Sequence, residues 1–283
     1  MKFSKMQGLG NDFVVIDAIT QRVSMNAALA SQLADRRLGV GCDQVLLAEP
    51  AQRAGMDVRY RIFNADGSEA GHCGNGVRCL ALFLRREGLC TADTLRVEVG
   101  DRCVVVRLRS DALVEVDMGA PELAAESVPL LSGQLERLPG SSHYRLPLND
   151  QPPITFTAVS MGNPHAVITV TDVDQAPVAS LGPLLEVHAV FPKRANIGFM
   201  EIVDPVQVRL RVHERGCGET QACGTGACAA VVAGRLRGHL GEHVQVSLRG
   251  GPLHITWAGP GQPVRMTGPA AHVFDGVWPD AGA

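Results

Sequence analysis

The 283-residue chain contains only three lysines, Lys2, Lys5 and Lys193, and none sits in a glycine-rich phosphate loop. Pyridoxal chemistry on amino acids needs a Schiff-base lysine, so this scarcity argues for a mechanism without that cofactor. Long apolar runs are missing as well, and no stretch reads as a membrane span. The first eleven residues lack the apolar core of a signal peptide, so none is expected. A net charge of −3 offers no basic surplus for nucleic acid or an anionic membrane. Gly8-Leu9-Gly10 lacks the third glycine of a dinucleotide fingerprint and leads into strand-like Val14-Val15-Ile16, not a helix. Cys-X-X-Cys is absent among eight cysteines, and with no secretion signal the expected compartment is a reducing cytoplasm.

What is present is concentrated in one stretch, Glu214-Arg215-Gly216-Cys217-Gly218-Glu219-Thr220-Gln221-Ala222-Cys223-Gly224-Thr225-Gly226. Val206 to Val212 alternates polar and apolar residues before it, which predicts a strand. Ala227 to Leu236 is small and apolar, which predicts a helix ended by Gly238. Cys223 therefore falls where a glycine-rich turn opens a helix. Free N–H groups and the positive end of the helix dipole gather there, a setting that lowers a thiol's pKa and attracts an anion.

The same arrangement occurs 150 residues earlier, in His72-Cys73-Gly74-Asn75-Gly76-Val77-Arg78-Cys79. It follows the alternating Asp57 to Phe63 and precedes an apolar stretch to Leu84. Gly10-Asn11 matches Gly162-Asn163, Gln44-Val45 matches Asn196-Ile197, and Asn64 stands opposite Glu214, all at offsets of 150 to 152. This is an internal duplication, with a period too long for a solenoid. The expected fold is α/β of the α+β type. It has two pseudo-symmetric domains, each a mixed sheet or roll wrapped around one buried helix, with the active site in the cleft between them. The domains are expected at 1–119 and 120–268. Ala120 to Pro153 reads as the connection, because it loses periodicity and gains Pro, Gly and Ser. Ser24 is expected to cap a helix carrying Leu29 and Leu33.

Two thiols at two helix starts suit the inversion of a carbon stereocentre. A thiolate removes a proton from one face while a thiol returns one to the other, and the helix-start N–H groups stabilise charge moving onto a carboxylate. Cys42, Cys90 and Cys103 read as core packing, as do Cys79 and Cys228 inside the enclosed helices. Cys217 has no counterpart in the first half and reads as a bystander. His165 either tunes a thiol or is a satisfied structural residue. Glu214 and Arg215 are either surface charges or, led into the site by their strand, the binding groups for an amino-acid head.

These motifs resemble the diaminopimelate epimerase family over nearly the whole chain. They are Gly8-Leu-Gly-Asn-Asp-Phe13, Asn64-Ala-Asp-Gly-Ser-Glu-Ala70 leading to Cys73-Gly-Asn-Gly-Val-Arg-Cys79, Gly162-Asn-Pro-His165 and Glu214-Arg-Gly through Cys223-Gly-Thr-Gly226. The resemblance implies interconversion of LL- and meso-diaminopimelate, without cofactor or metal, in lysine and cell-wall precursor synthesis. It assigns Cys73 and Cys223 as the acid–base pair and places the reacting carboxylate on Gly74-Asn75 and Gly224-Thr225. Asn11, Gln44, Asn64, Asn163, Asn196 and Arg215 complete the substrate shell, and His165 and Glu214 tune or orient the thiols. It further implies a homodimer with Phe274 near the interface, formed by a C-terminal segment (269–283) that returns to the first domain. Two alternatives stand beside it. A proline or hydroxyproline racemase of the same architecture would carry His where Asn75 stands. A zinc or thiol-redox protein would use the pairs Cys73/Cys79 and Cys217/Cys223.

Overall fold

The computed structural model describes residues 1–71, 73–109, 113–140, 142–148 and 151–279; His72, beside the first thiol, lies outside them. The chain divides into two units, Met1–Asp117 with the segment from Thr267, and Met118–Met266. The boundaries read from sequence fall two residues further along at each crossing.

In the first unit, β1 (Lys2–Gly8) and β2 (Asn11–Asp17) form an antiparallel hairpin. Helix α1 (Ala27–Ala34) crosses to β3 (Gln44–Glu49), which lies parallel to β2. Then come β4 (Val58–Asn64), the two-residue β5 (Glu69–Ala70) and helix α2 (Gly74–Arg86). The strands β6 (Thr94–Val99), β7 (Arg102–Leu108) and β8 (Leu113–Asp117) complete the series. The cap of α1 is Asn26, whose side chain accepts from Leu29 N–H at 2.9 Å, and not Ser24. Asn26 is the residue immediately before the first turn, and only there does a side-chain oxygen reach the N3 amide.

The second unit opens with β9 (Glu136–Arg137) and β10 (His143–Leu148). It then repeats the first in order: β11 (Gln151–Ser160), β12 (Pro164–Val170), α3 (Val178–Glu186), β13 (Asn196–Asp204), β14 (Gln207–Glu214), β15 (Gly218–Glu219), α4 (Gly224–Leu236), β16 (His243–Leu248), β17 (Gly251–Thr256) and the start of β18 (Arg265–Pro269), whose residues from Thr267 belong to the first unit. The pairings repeat too. β12 and β13 are parallel as β2 and β3 are, and β14 and β16 are parallel as β4 and β6 are. Phe63 opposite Glu69 becomes His213 opposite Glu219. The stretch 120–153 is more than a connection. β10 pairs with β11 and buries Tyr144 and Leu146 beside Phe156. Its alternation is short and is interrupted by Pro147, which is why it reads as irregular.

The central helices are buried on nearly all sides by strands of their own unit. Val77, Leu80, Phe83 and Leu84 of α2 are in the core, each contributing about 2 kcal/mol through burial. Arg78 is fully buried among them and donates from Nε to Pro269 O at 3.1 Å. That bond ties the returning chain to α2. β19 (Ala271–Val277) then pairs antiparallel with β1. Cys42, Cys79 and Cys228 are buried as expected, but Cys103 is exposed. It alternates with inward Val104 and Val106 on β7, so strand geometry places it on the outer face.

Candidate active site

Each unit presents a cysteine at the start of its central helix. Cys73 is the N-cap of α2, with extended backbone, and Gly76 N–H donates to its sulfur at 3.4 Å. Cys223 holds the same place on α4. The repeated Cys-Gly-X-Gly has a packing cause. A Cβ on Gly76 would lie 2.1 Å from the Tyr60 hydroxyl, and one on Gly226 would lie 3.0 Å from Val212 and 3.2 Å from Cys223 Sγ. The glycines let a strand press against the first helical turn, which holds the thiol at the helix mouth.

In the first unit, Asn11 Oδ1 lies 3.7 Å from Cys73 Sγ and 3.4 Å from Asn75 Nδ2. The amide is held that way round by Asp43, whose Oδ2 accepts from Asn11 Nδ2 at 2.7 Å. A carboxylate only accepts, so the NH₂ must face it. Arg36 bridges Asp43 and Asp12, and Lys5 meets Asp12 from the other side. Burial opposes ionisation of Asp12, but Arg36 and Lys5 outweigh it and lower its pKa to about 2. Gln44 and Asn64 face each other across β3 and β4, Gln44 Nε2 donating to Asn64 Oδ1 at 2.9 Å. Asn64 Nδ2 donates to Ser68 Oγ at 3.0 Å.

The second unit surrounds its thiol differently. Cys223 is buried, and its S–H donates to Glu214 Oε2 at 3.0 Å. Thr220 donates to the other oxygen of Glu214. Burial first, and the Glu214 charge second, push the Cys223 pKa well above the ordinary thiol value. This corrects the expectation from the helix start alone. The dipole effect is modest and falls off within a turn, whereas a buried thiol beside a carboxylate is strongly disfavoured as thiolate. Thr225 Oγ1 is 3.6 Å from the sulfur and accepts from Asn163 Nδ2 at 3.3 Å. Asn163 Oδ1 in turn lies 3.1 Å from His165 Nε2. His165 is fully buried and neutral, its pKa lowered to about 3 by burial and then by Arg215. Among the described residues its path to the thiol runs through Asn163 and Thr225. Asn196 Oδ1 accepts the Arg215 backbone N–H at 3.0 Å, and Arg215 Nη1 donates to Lys193 O at 3.0 Å. The Arg215 side chain is exposed, while Glu214 is half-buried.

Thus Cys73, Asn11 and Asn75 gather in one unit, with Gln44 and Asn64 as a neighbouring pair. Cys223, Glu214, Thr225, Asn163 and His165 form a chain in the other, with Asn196 and Arg215 joined at the adjacent turn. Gly74 and Gly224 are the first helical residues in each case. Residue-by-residue reading missed Asp43 and Ser68, which orient Asn11 and Asn64. Asp43 adjoins Gln44 in sequence, and that adjacency was the available signal. Among the described residues, no group of three or more His, Cys, Asp or Glu side chains is placed to hold a metal ion.

This duplicated sheet-and-helix fold recurs in solved structures. The solved structure of a hydroxyproline epimerase from Agrobacterium vitis superposes with a TM-score of 0.68 at 16% identity, covering 98% of this chain and 91% of that one. A phenazine biosynthesis protein from Bacillus anthracis gives 0.65 at 16% identity, covering 97% of each. These likenesses define the fold. The family is defined by sequence. The diaminopimelate epimerase family profile matches residues 3–124 and 157–273. The diaminopimelate epimerase of Alkalilimnicola ehrlichii is 56% identical over 278 residues, 98% of both chains. That of Halorhodospira halophila is 55% identical over 276 residues, 98% of this chain and 94% of its own. The chain belongs to the diaminopimelate epimerase family.

Proposed function

We propose that this protein epimerises LL-2,6-diaminopimelate to meso-diaminopimelate, with Cys73 and Cys223 as the acid–base pair. The observation that carries the reading is the second thiol's proton. Cys223 is held as a thiol with its S–H on the Glu214 carboxylate, so it can give a proton to carbon, and Glu214 can receive that proton when Cys223 serves as base. The N–H groups of Gly74-Asn75 and Gly224-Thr225 bind the carboxylate at the reacting carbon and stabilise the charge that moves onto it. His165 keeps Asn163 and Thr225 in place beside the sulfur. Asn64, Asn163, Asn196 and Arg215 bind the distal carboxylate, and Glu214 meets an ammonium.

The reaction supplies lysine and peptidoglycan precursors, in the cytoplasm. Among the described residues no helix is long and apolar enough to cross a membrane. We further propose a homodimer built on β19. Val273, Phe274 and Val277 are exposed there, and Phe274 packs edge-on against Phe3 with ring centroids 6.2 Å apart.

The test is proton exchange at the α-carbon in heavy water. LL-diaminopimelate incubated with the purified protein should gain one deuterium at the inverted centre and yield the meso isomer. No exchange with this substrate, together with rapid exchange of free proline, would overturn the reading.

A further inference from the structure

We infer that Glu186, on α3, is a positioning residue that clamps the turn carrying Glu214 and Arg215. Glu186 is the last residue of α3 and is 7% exposed. Its Oε2 lies 2.8 Å from Nε2 of His213, itself 6% exposed. Its Oε1 accepts the Gly216 backbone N–H at 2.9 Å and lies 3.4 Å from Arg194 Nη1. One buried carboxylate therefore grips residue 213 and residue 216, on either side of the two residues assigned to the substrate and to Cys223.

The rest of the turn is built around that grip. Gly216 has φ +78°, a left-handed conformation that its missing Cβ permits. Cys217 N–H closes back on Glu214 O at 3.1 Å, and Asn196 Oδ1 takes the Arg215 N–H at 3.0 Å. Helix α3 comes close enough that a Cβ on Gly182 would lie 2.7 Å from the His213 Cβ and Cγ. Burial opposes ionisation of Glu186, but the bonds from His213 and Gly216 outweigh it, and its pKa lies below the ordinary carboxylate value.

The duplication separates this role from a merely structural one. Position 63 corresponds to 213, and position 34 to 186. In the first unit these are Phe63 and Ala34, members of one apolar cluster with Ala30 and Leu33. The fold thus closes this corner without charge. A buried ion pair is not needed for stability, since apolar replacement of both partners is often neutral or better. The pair occurs in the half whose next residues are Glu214 and Arg215. The corresponding residues in the first half are Asn64 and Ala65, which carry no charge to aim.

The inference rests on the proposed function for the roles of Glu214 and Arg215, so its test includes a reading that needs no substrate. The double variant Glu186→Leu with His213→Leu removes both polar partners together. It should unfold at a temperature near that of the wild type. With the turn released, kcat/KM for LL-diaminopimelate should fall by about 100-fold. Without substrate, Cys223 should be alkylated faster at neutral pH, because Glu214 no longer holds its proton. A folded double variant with wild-type kcat/KM and a wild-type alkylation rate overturns the inference. Should the double variant not fold, Glu186→Asp decides. It keeps the charge but is one methylene too short to reach His213 and Gly216 together, so the same losses are expected. Wild-type values in that variant overturn the inference equally. A wild-type protein inactive on diaminopimelate counts against the proposed function alone, since the alkylation comparison still reports on the clamp.

Discussion

Glu214 Oε2 lies 3.0 Å from Cys223 Sγ, and in the first unit the residue opposite Glu214 in the duplication is the uncharged Asn64. The two thiols therefore work in different fields. Cys73 faces the carboxamide oxygen of Asn11 and an N–H of its own helix; Cys223 faces a carboxylate inside the protein. In the proposed reaction this field means that Cys223 starts with its proton in place.

The first prediction concerns the pH at which Cys223 ionises. A raised pKa means little thiolate near neutrality, with reactivity growing as pH rises toward that pKa. Glu214→Gln removes the carboxylate charge and lowers the pKa, so the alkylation curve of Cys223 moves to lower pH. If the curve moves by about one pH unit, reaction with iodoacetamide at pH 7 becomes about tenfold faster. Peptide mass mapping of Cys223 across pH measures this. A curve that stays put or moves upward contradicts the assigned field.

Serine at either helix-start thiol should cost about 10³-fold or more in kcat while leaving the fold intact, since a positioned acid or base contributes on that scale. Cys217→Ser should keep activity within a few-fold. Cys217 sits exposed at the clamped turn, and the Glu214 oxygen it meets is bound by its backbone N–H, which serine preserves. Epimerisation assays with circular dichroism on the three variants test this. A dead Cys217 variant beside an active Cys223 variant would show that the assigned pair is wrong.

Tyr60 offers a stability test. Its hydroxyl is buried against Gly76, finds no hydrogen-bond partner among the described residues, and has a pKa raised well above normal, chiefly by burial. An unsatisfied buried hydroxyl costs about 1–3 kcal/mol. Tyr60→Phe should therefore leave stability unchanged or raise it, and should relieve crowding beneath the first turn of α2. Thermal unfolding of the variant decides. A drop of several degrees would mean that the hydroxyl is hydrogen-bonded in solution after all.

Much of this architecture is legible in the chain because the duplication makes each half a check on the other. Thr94 to Val99, Gly100-Asp101 and the strand that follows are plain from alternation around a hairpin turn. The two helix starts are plain from Cys-Gly-X-Gly. What escapes is set by tertiary context. The inward pairing of Tyr144 and Leu146 is hidden by Pro147. The outward face of Cys103 follows from strand phase, which composition cannot reveal. The direction of the Cys223 pKa depends on burial and on a carboxylate nine residues earlier, which the fold brings back to the sulfur. Asp43 and Glu186 are missed because orienting residues leave no periodic mark.

The last prediction concerns substrate length. The Arg215 guanidinium gives one hydrogen bond to Lys193 O, and its fork carries four further N–H donors. A planar fork suits a carboxylate gripped by two parallel bonds, a geometry that a lysine ammonium cannot reproduce. If Arg215 takes the carboxylate remote from the reacting carbon, Arg215→Lys should lose most of its kcat/KM although the charge is kept. Short amino acids should fare worse still. Alanine and proline leave the groups built for the distal end without partners, and such omissions cost discrimination of about 10⁴ or more. Lysine supplies the distal ammonium but no distal carboxylate, so it should fail as well. Competition assays with deuterium exchange on diaminopimelate, alanine, proline and lysine separate the cases. Near-normal kinetics for Arg215→Lys, or efficient exchange of free proline, would remove Arg215 from the distal site and reopen the assignment of the substrate.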